Sequence, residues 1–149
     1  MKSLFNAPYN QGVIDRINAL SPASKPLWGK MQVAQMLAHA QQPLKVALGE
    51  LKLKRGVMGF IFGRMAKKKM LADGDLKKNL PTAKEFLVRT DLLFEEEKKK
   101  LIALIQRFYQ SGPQGLTKED HPFFGKLTTE EWDRLQWKHL DHHLRQFGV

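Results

Sequence analysis

Five histidines, His39, His121, His139, His142 and His143, are the residues of this chain best suited to holding a transition metal, because there is no cysteine. That absence removes disulfides, thiolate ligands and a cysteine nucleophile together, leaving imidazole and carboxylate to do any metal chemistry. His139 and His143 are four residues apart, the spacing that places two imidazoles on one face of a helix within reach of one ion. Spacing alone is weak: five histidines scattered over this length would produce such a pair in about one sequence of eight. The flanks add weight. At 100° per residue both rings fall between Trp132 and Leu135 on one side and Leu140 and Phe147 on the other, whereas Arg134, Lys138, Asp141 and Arg145 fall on the opposite, solvated side. Two buried imidazoles without a partner are costly, and a cation would hold both neutral and satisfied.

His39 is the third candidate ligand, near the edge of an apolar stripe among Gln32, Gln35, Met36 and Pro43. Its plain alternative is an ordinary boundary histidine. Pro43 has no N–H, so the His39 carbonyl loses its usual helical partner and a kink is expected there, serving either to aim the ring or only to accommodate packing. His121 stands in His121-Pro122-Phe123-Phe124-Gly125, where its plain role is to fix a loop beside two aromatic anchors. His142 reads as a surface residue.

Four stretches of helical periodicity must position these groups, and no sustained strand-type alternation competes, so the expected class is all-α. A first helix is expected over about Asn10–Leu20, with Val13, Ile14, Ile17 and Leu20 on one side and Ser21-Pro22 as breaker. The second should cover about Met31–Leu48 and stop at Gly49. The third should cover about Asp91–Gln110, with Phe94, Leu101, Leu104, Ile105 and Phe108 inward and Glu95 to Lys100 outward. The last begins at Thr128, followed three residues later by Glu131, a reciprocal cap, and should reach Phe147.

The connection from Gly49 to Thr90 is too long for a turn and is expected to be a crossover between the second and third helices, leading to a parallel neighbour. Within it Val57–Leu71 should form a short helix that packs its apolar residues on the core while its lysines face water. The whole chain, 149 residues with 42% hydrophobic content, fits one domain able to bury a core without staples. No stretch is long and apolar enough for a bilayer, and Met1–Tyr9 has no signal-type apolar run, so a soluble, cytoplasmic protein is expected. A formal charge of +10 is concentrated at Lys52, Lys54, Arg55, Arg64, Lys67, Lys68, Lys69, Lys77 and Lys78, against only Asp73 and Asp75. That segment is either a solvated face or a site for anions.

Trp28-Gly29-Lys30-Met31, Met36-Leu37-Ala38-His39, His121-Pro122-Phe123-Phe124-Gly125 and the run from Lys138 to Gly148 together resemble the domain of unknown function 1569, within the DinB/YfiT-like metalloenzyme superfamily. The resemblance covers nearly the whole chain and implies that residues 1–149 form a single domain. It implies a four-helix bundle with a long crossover and a metal held by one histidine from the second helix and two from the last, here His39, His139 and His143. It also implies a role for Gln146, three residues after the last histidine, as a group supporting the ligands, with His121 a further candidate for that role. Three imidazoles suit a divalent transition metal, zinc or nickel first, and leave coordination positions open to water or substrate. The expected activity is that of a metal-dependent hydrolase or a transferase using a low-molecular-weight thiol on a small-molecule substrate; the thiol must come from outside the chain. The alternative is an anion-binding module that uses residues 52–78 on nucleic acid or an anionic membrane, and a homodimer is compatible with either.

Overall fold

Asn6 opens the first helix of the computed structural model, which describes residues 2–54, 56–79 and 91–149 except the side chains of Val57, Met58 and Phe60. The Asn6 side chain accepts from the Tyr9 N–H, and Pro8 sits in the first turn, so α1 runs Ala7–Asn18. It starts earlier than the apolar periodicity suggested, because cap and proline chemistry outrank hydrophobic spacing at a helix start. The residues before it are part of the core: Leu4 is fully buried with its N–H on the Asp133 carboxylate at 2.8 Å, and the Phe5 ring stacks on Phe108 at 4.8 Å.

The second helix, α2, spans Val33–Ala47 and continues through Pro43. The Gln35 side chain accepts from the Gln32 N–H at 2.9 Å, and Gly49 closes the other end with φ +74°. After α3, Val57–Leu71, the stretch 80–90 of the expected crossover lies outside the described residues. The third long helix, α4, spans Phe94–Ser111, with Glu95, Glu96 and Glu97 in its first turn, where they complement the helix dipole. The last, α5, spans Thr129–Gln146. Its reciprocal cap forms as expected: the Glu131 N–H donates to Thr128 Oγ1 and the Thr128 N–H to the Glu131 carboxylate.

Side-chain contacts fix the helix directions. Gln41 meets Glu97 and Glu50 meets Arg107, so α2 and α4 run parallel. Asn10 donates to the Ile105 carbonyl and Lys98 to that of Asn18, so α1 and α4 are antiparallel. Leu4 meets Asp133 and Arg16 meets Asp141, which aligns α1 with α5. A parallel α2–α4 pair requires the long connection between them. The described residues form an all-α structure whose only strand-like feature is a single bridge, His121 to Gly125. Val13, Ile14, Ile17, Met36, Leu37, Leu44, Leu101, Ile105, Phe108 and Leu140 form the core the periodicity pointed to, and Leu144 joins them.

Three expectations need correction. Glu97 is not outward but 6% exposed, because its position repeats with Leu101, Leu104 and Phe108. Its carboxylate survives burial by accepting from Gln41 Nε2 and Lys100 Nζ, each at 2.7 Å. Lys138 is not solvated: the connection after α3 covers it, and its ammonium donates to the Ala72 carbonyl at 2.6 Å. On α3, finally, Ile61, Phe62 and Met65 face solvent instead of packing inward. The helix rests on its glycines. A Cβ on Gly63 would stand 2.3 Å from the Phe123 carbonyl oxygen, and one on Gly59 would be 3.1 Å from the Phe123 backbone. Backbone-to-backbone approach decided the orientation of this helix over hydrophobicity.

Candidate metal centre

α2 and α5 cross where His39 faces His139 and His143. One ring nitrogen from each lies within 4.8 Å of those of the other two. His39 Nε2 and His139 Nε2 are 3.1 Å apart, and the three ring centroids are 4.6 to 4.9 Å from one another. Bonds of about 2.0 to 2.1 Å in a tetrahedral shell put ligand nitrogens about 3.3 Å apart, so the closest pair already stands near that separation. His39 and His143 are buried, 5% and 8% exposed.

Local chemistry settles which nitrogen His143 presents. Gln146 Nε2 donates to the Trp28 carbonyl at 2.7 Å, which can only accept, so the Gln146 Oε1 faces His143 Nδ1 at 2.9 Å. An amide oxygen also only accepts, hence Nδ1 carries the proton and Nε2 keeps its lone pair. Gln146 therefore supports a cluster ligand directly, in the way a ligand's other nitrogen is held at many metal sites. Gly29 is required beside it: with φ +78°, a Cβ there would lie 2.8 Å from Gln146 Nε2.

The electrostatics agree with neutral rings. Burial, then the neighbouring His39, push the His143 pKa down to about 3, although its bond to Gln146 opposes the shift. Burial, then His143 and His39, hold His139 well below the ordinary imidazole range. His139 Nδ1 is buried with no protein hydrogen-bond partner. Two facing imidazoles need either a proton or a cation between their lone pairs, and the donor set here is one that imidazole-binding divalent ions accept.

His121 lies elsewhere. Its Nδ1 accepts from the Phe123 and Phe124 N–H groups, both at 3.1 Å, and its ring stacks on Phe124 at 4.5 Å and meets Trp132 at 5.2 Å. This is the loop-fixing role. His142 is half-buried rather than a free surface group: Trp28 covers it edge-on at 5.7 Å, and its ring is 5.1 Å from that of His143. A cavity of about 300 Å³ is bordered by Trp28, Leu76, Lys78, Trp137, Lys138 and His142, and none of the three clustered histidines lines it. Sequence reasoning missed Asp133, which ties the N-terminal segment to α5 through Leu4 and whose pKa burial raises. It also missed the part the Trp28 carbonyl plays in holding Gln146; the Trp28-Gly29 pair was the available signal for that contact.

The chain matches the model of the family described as protein of unknown function, DUF1569, over residues 6–148. No curated protein and no solved structure matches it. The family model spans nearly every element described above, from the Asn6 cap to the end of α5, and the chain belongs to the DUF1569 family.

Proposed function

We propose that the protein is a metal-dependent enzyme of the DinB/YfiT-like kind, a four-helix bundle of α1, α2, α4 and α5 with a divalent transition metal held by His39, His139 and His143. The convergence of three imidazoles from two helices on one point supports this reading most strongly. Bound there, a divalent ion supplies a Lewis acid that lowers the pKa of a coordinated water or thiol toward neutrality. Three protein ligands leave room for that group. The chain's own residues do the rest: Gln146 fixes the His143 tautomer, and α2 and α5 hold the donors in place from rigid elements. Burial keeps competing protons off His139 and His143. The reaction class that follows is hydrolysis, or transfer to a low-molecular-weight thiol, on a small-molecule substrate.

Elemental analysis of untagged protein tests the centre. About one equivalent of zinc, nickel or another divalent transition metal is expected, and none in His143→Ala with its helix content retained. Full metal content in that variant, or no uptake by the parent chain from any of these ions, would defeat the assignment. A screen of the loaded protein on activated esters, and on electrophiles with added thiols, separates the two reaction classes.

A further inference from the structure

The exposed face of α3 gathers large apolar side chains, which are exposed at most singly on the other described helices. Ile61 is 61% exposed, Phe62 43% and Met65 57%, three large apolar side chains within two helical turns. The helix cannot roll to bury them. Gly63 is pressed against the Phe123 carbonyl so closely that a Cβ there would stand 2.3 Å from its oxygen, and Gly59 packs tightly on the Pro122 and Phe123 backbone, where a Cβ would be 3.1 Å away. Lys67 ties the same side down through Glu131 at 2.7 Å and the Lys126 carbonyl at 2.9 Å. At 100° per residue, Ile61 and Met65 stand nearly opposite the two glycines, and Lys68 falls between them and Arg64 in angle. Arg64, Lys68 and Lys69 are exposed, and no acidic residue occurs from Leu51 to Ala72.

We propose that this face of α3 docks on an anionic lipid surface, with Ile61, Phe62 and Met65 entering the headgroup boundary and Arg64, Lys68 and Lys69 meeting lipid phosphates. The chemistry selects this occupant. A helix lying in the interface needs apolar residues on one side and basic residues beside them, and it gains from both burial and attraction to anionic headgroups. A second copy related by a two-fold axis would bring the like charges of Arg64, Lys68 and Lys69 against one another, in a protein already at +10. Nucleic acid would use the cations but leave the three apolar side chains unrewarded. No helix among the described residues is long and apolar enough to cross a membrane, so the contact is peripheral and weakened by salt. The inference does not depend on the metal centre, because α3 supplies none of the clustered histidines.

Co-sedimentation of the full chain with phosphatidylcholine vesicles containing about a third phosphatidylglycerol, against phosphatidylcholine alone, tests it. At least tenfold stronger partitioning onto the anionic vesicles is expected. The triple variant Ile61→Ser, Phe62→Ser, Met65→Ser should lose at least tenfold, and so should Arg64→Gln, Lys68→Gln, Lys69→Gln. All six side chains are exposed, so circular dichroism and thermal unfolding of both variants should match the parent chain. Absence of binding to anionic vesicles overturns the proposal. So does full binding by the serine variant, which would reduce the contact to charge alone. Tighter binding to duplex DNA than to vesicles would assign the surface to nucleic acid, and self-association abolished by the serine substitutions would assign it to a second copy; either result overturns the lipid reading.

Discussion

His121 Nδ1 can accept from the Phe123 and Phe124 N–H groups only while it is unprotonated, and burial lowers its pKa to about 4. The unfolded chain takes up a proton near pH 6.5, the ordinary imidazole value, whereas the folded chain resists until about pH 4. The stability this depressed pKa confers is therefore complete above about pH 6.5 and lost progressively as the pH falls toward 4, by up to about 3 kcal/mol. Urea midpoints measured across that window should fall less steeply in His121→Gln than in the parent chain; equal slopes would show that His121 is not the group responsible. Gln146 makes a different kind of contribution, setting a tautomer rather than a charge. Gln146→Leu should keep the fold and lower metal affinity about 10- to 100-fold, measured by competition with a chromogenic chelator. The loop role of His121 was legible from its own motif and that of Gln146 only through the family resemblance, while the direction in which Gln146 points was not legible, because its second partner is a backbone carbonyl 118 positions away.

At the scale of elements, glycine separates two situations that look alike in sequence. Gly12 sits inside α1 with nothing within 4 Å of its would-be Cβ, whereas Gly63 sits inside α3 with the Phe123 carbonyl in that space. Gly12→Ala should stabilise the protein by about 0.5–1 kcal/mol, the usual helical gain. Gly63→Ala should do the reverse and release α3, seen in hydrogen exchange as lost protection across 57–71 with α1, α2, α4 and α5 unchanged. Retained protection there would mean that α3 has another way to pack. The helices themselves were readable from period and caps, Thr128 with Glu131 most clearly. Glu97 was misread because a run of charges masks a position that shares the α4 face of Leu101 and Leu104.

Across the whole molecule, the candidate centre joins α2 to α5, and an ion that binds only the folded arrangement adds its binding free energy to stability. Free metal at about a hundred times its dissociation constant should raise the thermal midpoint by about 5–10 °C for a domain of this size. Circular dichroism melts with and without chelator should show that rise in the parent chain and none in His143→Ala; an equal rise in both would place the ion elsewhere. The sequence by itself determined the all-α class, the apolar core positions of the long helices and the alignment of His139 with His143, since these follow from the 3.6-residue period and from local caps, which act over a few residues. Tertiary structure alone decided that His39 meets that pair, that Lys138 is covered, and that α3 turns its apolar residues outward. Each of these depends on groups from distant parts of the chain coming together, side chain on side chain at His39, side chain on backbone at Lys138 and backbone on backbone at α3, a condition that no local pattern encodes.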